Sequence, residues 1–225
     1  MNWYVFLSLL LAHIVGDFYL QSNRLCTKKR SAKIGSWFLY VHSLTLGVIS
    51  WAIVFDKCFA IYAVAIALSH LVIDLIKVYC PKGLWYFVAD QLLHILVLVA
   101  ISYMYESAST LPLEFVGASA TLWVIAILLC LRPANISIKL VMENYSVGAS
   151  ESCKGIKNAG ALIGALERLL TIVFMAKGQY EAIGFLVAAK SILRFKDTDT
   201  AKTEYVLAGT FLSFGIAILC GLILS

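Results

Sequence analysis

The stretch WYVFLSLLLAHIVGDFYLQ, residues 3–21, decides the fold, because it is long and apolar enough to cross a bilayer as one helix. No basic segment precedes it and no small-residue cleavage site follows it, so we interpret it as a retained first span and not as a signal peptide. His13 and Asp17 interrupt the apolar run four residues apart. Ionisable groups inside a span are costly unless they are paired or hydrated, so this pair, taken alone, indicates either a hydrogen bond that stabilises the bundle or part of a functional site.

The whole chain has the composition of a membrane protein. Of its 225 residues, 61% are hydrophobic and only 14% are charged, and the mean hydropathy is +0.89. A soluble domain is nearer to half apolar and one quarter charged. We therefore predict an all-α, polytopic transmembrane helix bundle of about seven or eight spans, forming one integral-membrane domain over residues 1–225. The predicted spans are residues 3–21, 36–55, 59–79, 84–105, 114–131, 160–176, 180–195 and 204–224.

The lysines and arginines predict the topology of these spans. Most of the 18 basic residues lie in alternate connections, whereas the connections on the other side carry only Lys57 and Lys177. The positive-inside rule then predicts that the basic connections are cytoplasmic and that both termini lie outside. The net charge of +5 therefore reflects topology, and we expect membrane lipid, not nucleic acid, as a partner.

The sequence RPANISIKLVMENYSVGASESCKGIKN, residues 132–158, is the one long polar connection, and we predict a cytoplasmic loop. Its first half, residues 136–145, fits an amphipathic interfacial helix and equally a solvated linker. In this division, residues 1–105 form a four-helix core with the His/Asp motifs, and residues 160–225 form basic C-terminal helices.

The His–Asp spacing of the first span recurs twice. In LSHLVIDLIK, residues 68–77, His70 and Asp74 repeat it, and in ADQLLH, residues 89–94, the carboxylate precedes the histidine. The reversed order is expected for a helix that runs in the opposite direction, because it keeps each carboxylate at the cytoplasmic end. Residues four apart share one helix face, so each pair can point into the bundle.

Spans one and two, and spans three and four, look like two copies of one hairpin. In each copy a span with the HxxxD spacing is followed by a span with a histidine near its cytoplasmic start. Such a repeat is expected to gather the ionisable side chains around a common point. The predicted metal ligands are His13, Asp17, His42, His70, Asp74, Asp90 and His94.

Imidazole nitrogens and carboxylate oxygens are ligands of Zn²⁺, Mn²⁺ or Fe²⁺, so the cluster predicts a centre with one or two divalent ions. These ligands exceed one tetrahedral shell. They suit either two bridged ions or one ion with further carboxylates that orient the imidazoles. Two other interpretations stay open, namely His–Asp hydrogen bonds that only stabilise the bundle, and a pathway for protons or ions.

A second polar layer lies in the C-terminal spans. Arg168 lies well inside an apolar run beside Glu167, and Lys190 and Arg194 lie one turn apart. One interpretation is structural: Arg168 pairs with a carboxylate, and the other two basic side chains snorkel to the surface. The functional interpretation is an anion clamp that holds a phosphate beside the metal. The predicted substrate-binding residues are Gln21, Lys77, Glu167, Arg168, Lys190 and Arg194.

The segments AHIVGDFYLQ, SHLVIDLIK and DQLLH, with a histidine opening the second span, resemble a bacterial inner-membrane family described only as a domain of unknown function. This resemblance implies a multi-pass protein of the bacterial cytoplasmic (inner) membrane. More distantly, the HxxxD spans look like membrane-bound metal-dependent hydrolases. Lipid phosphate phosphatases also carry HxxxD, with an arginine six residues before the histidine. Here that position is Leu7 before His13 and Val64 before His70, so this family is disfavoured.

We therefore predict a metal-dependent hydrolase that faces the cytoplasm and acts on a phosphoester or a lipid-linked substrate. The metal would activate water, and Asp17, Asp74 or Asp90 would serve as ligand or general base. The first alternative is a divalent-cation or proton-coupled transporter, which the hairpin repeat favours. The second is a membrane effector or partner-binding subunit, in which residues 132–158 dock a partner and the His/Asp network is structural.

Overall fold

The computed structural model describes residues 2–105, 117–145, 159–194 and 200–224. Within these ranges the regular structure is entirely helical, which confirms the predicted all-α class. The chain divides into two compact units, Met1–Ile125 and Ala126–Ser225, and each is described by itself. The helices are α1 (Trp3–Ile14), α2 (Asn23–Ala32), α3 (Trp37–Val54), α4 (Ala60–Tyr79), α5 (Leu84–Met104), α6 (Ala118–Asn144), α7 (Ala159–Ala176), α8 (Tyr180–Arg194) and α9 (Thr200–Leu222).

Five helical segments in the described ranges are long and apolar enough to cross a membrane: Trp37–Val54, Lys57–Tyr79, Leu84–Met104, Ala118–Asn144 and Thr203–Leu222. Trp3–Tyr19 and Arg24–Gly35 pass the same test jointly but meet at 88°, as in a broken span or a re-entrant loop. These segments are those of a membrane protein. The predicted count of seven or eight spans and the predicted hairpin repeat are not confirmed.

Local sequence explains where two of the helices begin and end. The Asn2 side chain caps α1 by accepting hydrogen bonds from the backbone N–H groups of Tyr4 (3.1 Å) and Val5 (3.3 Å). α4 ends at Tyr79, and the next residue, Cys80, is extended with ψ 151°. The following Pro81 disfavours a helical conformation of the residue before it, so α4 cannot continue.

The first unit is built around α1, α3, α4 and α5. α1 and α4 each pack against both α3 and α5, so the four helices enclose a common interior. Along the chain, α1, α3, α4 and α5 alternate in direction. The His–Asp motifs therefore all lie at one end of this interior. The other end is an apolar cluster of Val5, Leu9, Val54, Phe59, Ala63, Ile66, Leu98, Ile101 and Tyr105.

Small residues allow α3 and α4 to approach each other closely. A Cβ atom added at Gly47 would lie 2.8 Å from the Ala63 carbonyl oxygen and 2.9 Å from the Ala67 Cβ. Neither neighbour can rotate away, so a larger residue here must separate the two helices. The same approach keeps the rings of His42 on α3 and His70 on α4 within 4.9 Å of each other, centroid to centroid.

We expect Gly47→Ala to destabilise the first unit, because overpacking a close contact costs roughly 1–3 kcal/mol. The measurement is the thermal midpoint of the detergent-solubilised protein. Gly35→Ala is the matched control, since a Cβ atom there has no neighbour within 4 Å. Equal midpoints for the two variants would contradict the expectation.

In the second unit, α6 continues through Pro133 to Asn144. The sequence left open an amphipathic helix or a linker for residues 136–145, and α6 makes this segment helical as far as Asn144. The helix also includes residues 132–135 of the predicted loop, and residues 146–158 lie outside the described residues. α7 packs along α9, and α8 contacts both. The cytoplasmic location of this connection and the division into residues 1–105, 132–158 and 160–225 remain predictions.

Candidate metal centre

The four histidines of the chain meet at the polar end of the first unit. His13, His42, His70 and His94 come from four different helices, and none is more than 4% exposed. The His70 ring lies centrally, with ring centroids 4.3 Å from His94, 4.9 Å from His42 and 6.0 Å from His13. The three motifs and the histidine of the second span are thus brought together in space.

A first group of ligand atoms consists of His42, His70 and Asp74, all buried. The two Nε2 atoms lie 3.1 Å apart, and Asp74 Oδ2 lies 3.5 Å from His70 Nε2 and 3.8 Å from His42 Nε2. At ligand distances of about 2.0–2.1 Å, the ligand atoms around a tetrahedral zinc ion are about 3.3–3.4 Å apart. The three atoms therefore have the spacing of a partial coordination shell.

A second group consists of His13, Asp17 and His70, whose ligand atoms lie within 4.8 Å of one another. Asp17 Oδ1 is 3.4 Å from His70 Nε2 and also 3.1 Å from His42 Nε2. His70 belongs to both groups. The arrangement fits either one ion or two ions linked through shared ligands.

A π-helical turn, Val15–Tyr19, brings Asp17 into the second group. The turn follows α1 directly and packs tightly on α3, since a Cβ atom at Gly16 would lie 2.3 Å from Leu46 Cδ2. A π turn holds one more residue than an α-helical turn, so it changes the direction of the side chains after it, and such turns are frequent at functional sites. The sequence analysis predicted an ordinary helix here; the only hint was a glycine beside the aspartate.

Asp90 and His94 belong to neither group of ligand atoms. Asp90 Oδ2 accepts hydrogen bonds from Lys77 Nζ (2.5 Å) and Gln91 Nε2 (3.0 Å). His94 Nδ1 donates to the Asp90 backbone carbonyl at 2.8 Å, so its Nε2 carries the lone pair. The His94 ring stacks on His13 with centroids 5.0 Å apart. Both residues thus border the centre, and their predicted role as ligands remains a prediction.

Three buried acceptor atoms in this region have no hydrogen-bond partner among the described residues: Asp74 Oδ1, Asp90 Oδ1 and His94 Nε2. Leaving a buried acceptor unsatisfied costs about 1–3 kcal/mol. Three such atoms beside two groups of converging ligand atoms indicate a place where a cation or a water would bind. The donor set therefore fits a divalent ion.

Lys29 on α2 is a residue of the centre that the sequence analysis did not single out. Its ammonium group donates to Asp74 Oδ2 at 2.6 Å and to Gln21 Oε1 at 3.3 Å. Nothing in the basic run KKR distinguishes Lys29 from Lys28, yet Lys29 is buried and Lys28 is exposed. Gln91 was missed for a similar reason: its Oε1 accepts from His13 Nε2 at 3.4 Å, a contact between two helices.

Two predicted substrate-binding residues of the first unit lie at the centre. The Gln21 amide contacts His42 Nε2 and donates to Asp17 Oδ1 at 3.4 Å. Lys77 is bound to Asp90 as described and lies 3.9 Å from Asp74 Oδ1, with its side chain 32% exposed. Their role toward a substrate remains a prediction.

The other predicted substrate-binding residues lie in the second unit. Arg168 is 1% exposed and donates to the Cys130 carbonyl (2.5 Å), Ser213 Oγ (2.9 Å) and Asn135 Oδ1 (2.6 Å). These neutral acceptors join α7 to α6 and α9, so the guanidinium has a packing role within the unit.

Near Arg168, Lys190 is paired with Glu167 at 2.6 Å. The Arg194 side chain lies outside the described residues. An anion clamp formed by these residues remains a prediction.

The helices are long and apolar enough to cross a membrane, and a buried cluster of His and Asp side chains could hold a metal ion. The structure is therefore that of a helical membrane protein with a possible metal site. The chain belongs to the family described as "Protein of unknown function (DUF3307)", which matches residues 5–122. The matched range contains all residues of both ligand groups. No curated protein and no solved structure matches the chain.

Proposed function

We propose that this protein is a membrane-embedded, metal-dependent hydrolase that acts on a phosphoester in a soluble or lipid-linked substrate. The observation that carries the proposal is the pair of ligand groups that share His70 and are bordered by unsatisfied buried acceptors. A purely structural network of His–Asp hydrogen bonds would pair its donors and acceptors, because unpaired polar groups are costly inside a bundle. Among the described residues, this network leaves three buried acceptors without a hydrogen bond.

The donor atoms favour Zn²⁺, Mn²⁺ or Fe²⁺, since they are imidazole nitrogens and carboxylate oxygens without thiolate. When bound, such an ion supplies Lewis-acid chemistry and lowers the pKa of a coordinated water. The ion would be held by His13, Asp17, His42, His70 and Asp74.

Asp90 is the best candidate for a general base. Its Oδ2 is held by Lys77 and Gln91, which fixes the carboxylate, while its buried Oδ1 has no hydrogen-bond partner among the described residues. An oriented carboxylate oxygen with a free lone pair can accept a proton from water without first breaking another bond. Asp90 lies outside both ligand groups, so its loss should leave the ion in place.

The proposal is tested by metal analysis and hydrolysis assays on the protein purified in mild detergent. We expect stoichiometric divalent metal and chelator-sensitive hydrolysis of a p-nitrophenyl phosphomonoester or phosphodiester. Asp90→Asn should reduce the hydrolysis rate at least about a hundredfold while the metal content stays unchanged. Glu143→Gln is the control, since this carboxylate is 59% exposed on α6. Folded protein that binds no divalent metal, even when the metal is supplied, would overturn the proposal.

A second candidate function, transport of a divalent cation or proton, is favoured by a cavity on the apolar side of the histidines. The cavity is small and is lined by His13, His70 and His94, by Ser50 and Ser69, and by five apolar side chains. Polar groups beyond the metal ligands are expected on an ion path. Metal flux into liposomes that disappears in the double variant Asp74→Asn/Lys29→Met, which lacks the Asp74 ligand without leaving an unpaired ammonium group, would select transport over hydrolysis.

A further inference from the structure

Lys29 occupies an unusual position for a lysine on a polar surface helix. α2 is strongly hydrophilic, and its N-terminus is capped by Ser22, whose Oγ accepts from the Leu25 N–H at 3.4 Å. The ammonium group nevertheless points into the first unit, where the side chain is 5% exposed. Burying an ammonium group is costly unless it is paired, so the buried position of Lys29 depends on its pairing with Asp74 in the centre.

Arg30 fixes α2 over the end of α4. Its guanidinium donates to the carbonyl oxygens of Cys80 at 2.9 Å and Lys77 at 3.2 Å, which close the C-terminal end of α4. Positive charge is favourable at this end of a helix. These contacts hold α2 in the position where the Lys29 ammonium reaches Asp74.

The ammonium of Lys29 and a metal ion would compete for one oxygen atom. Lys29 Nζ lies 2.6 Å from Asp74 Oδ2, and the same Oδ2 forms a ligand group with His42 and His70. Two cations bound to one carboxylate oxygen repel each other strongly in a low-dielectric interior. Metal binding should therefore weaken the ion pair and release the Lys29 ammonium toward another anion.

The formal charges of the centre indicate that the metal-loaded state has a net positive charge and should bind an anion. Three carboxylates, Asp17, Asp74 and Asp90, face two ammonium groups, Lys29 and Lys77, so the formal sum with neutral histidines is −1. One divalent ion changes the sum to +1, and a second ion would increase it further. A buried positive excess is costly, so the metal-loaded centre should attract an anion.

We infer that Lys29 and Lys77 form the anion-binding part of the metal-loaded centre and bind the phosphate oxygens of the substrate. The inference rests on the proposed metal centre and deepens it, because it names the side chains that bind the phosphate of the substrate. Both ammonium groups lie within 4 Å of Asp74, at 2.6 and 3.9 Å, so one phosphate can reach both of them. Lysine ammonium groups are common ligands of phosphate in proteins. The phosphate belongs either to a soluble molecule or to a lipid headgroup.

The test compares phosphate binding by the metal-loaded wild type with that by Lys29→Met. Inorganic phosphate is titrated calorimetrically, and micelles with phosphatidic acid are compared with micelles with diacylglycerol, which has no phosphate. We expect Lys29→Met to keep its metal and to bind phosphate about tenfold more weakly or worse. Lys28→Met, on the exposed side of the same helix, should bind as the wild type does, and Lys29→Arg should stay within a few-fold of it.

A second measurement needs no variant. Acylation of amines, read by mass spectrometry on the wild type, should increase at Lys29 when metal is added and decrease again when phosphate is added. Lys28 should label equally in all three states. This readout reports the position of the ammonium group and does not depend on activity.

The outcomes separate the two proposals. A wild type without metal overturns the metal centre and with it the role of Lys29. A metal-loaded wild type whose phosphate binding is absent, or unchanged by Lys29→Met, overturns the role of Lys29 alone. Lys29-dependent binding of inorganic phosphate indicates a soluble source, Lys29-dependent binding restricted to phosphatidic acid indicates a headgroup, and either result supports the inference.

Discussion

Replacing His70 by alanine should remove bound metal from both ligand groups at once. His70 is the residue that the two groups share, and its Nε2 lies within 3.1 to 3.5 Å of His42, Asp17 and Asp74. Loss of even a residue that only orients a ligand costs about 10–100-fold in metal affinity, and loss of a shared ligand should cost more. We expect less than about a tenth of the wild-type metal by elemental analysis after purification.

The control for His70→Ala is Ser102→Ala. Ser102 is also fully buried in the first unit, but its hydroxyl group donates to the Val99 carbonyl at 2.8 Å and is not part of either ligand group. A loss of metal in both variants would show that any disturbance of the bundle releases the ion. Wild-type metal content in His70→Ala would contradict the shared-ligand arrangement.

Asp74→Asn should be the most destabilising single change in the first unit. In the metal-free protein it leaves the Lys29 ammonium buried without its carboxylate, in a pair whose side chains are 5% and 1% exposed. Removing one partner of a buried ion pair costs roughly 3–5 kcal/mol, mostly because the remaining charge is uncompensated. The free energy of unfolding of the metal-free variant in mixed micelles, compared with that of the metal-free wild type, measures this cost.

The double variant Asp74→Asn/Lys29→Met separates stability from metal binding. With the ammonium group also removed, we expect most of the lost stability to return, because no unpaired charge remains. Metal binding should not return, because the Asp74 ligand is still absent. A double variant as unstable as Asp74→Asn would show that the ion pair is not the source of the effect.

The fold class and the neighbourhood of the site were predictable because their signals are local in sequence. A long apolar run predicts a helix, and a His–Asp spacing of four residues predicts that both side chains lie on one face. The alternation of chain direction then placed His13, His42, His70 and His94 at one end. Burial of all four together agrees with that reasoning.

Other features depended on contacts between helices and left no local signal. The π turn that redirects Asp17 depends on the close packing of Gly16 against Leu46. One of the two interpretations of Arg168 paired it with a carboxylate, but its hydrogen bonds in the structure go to a backbone carbonyl, a hydroxyl group and an amide oxygen from α6 and α9. Those acceptors lie more than thirty residues away in the chain, so spacing could not indicate them.

The sequence by itself determined that the chain forms apolar helices with a set of histidines and aspartates at one end, since hydropathy and helical period act within a single helix. The tertiary structure alone decided which carboxylate each cation meets. Lys28 and Lys29 are equivalent in composition, and only the orientation of α2 against α4 buries one and exposes the other. That orientation depends on packing and on the contacts of Arg30, so the pairing of Lys29 with Asp74 follows from the assembled bundle.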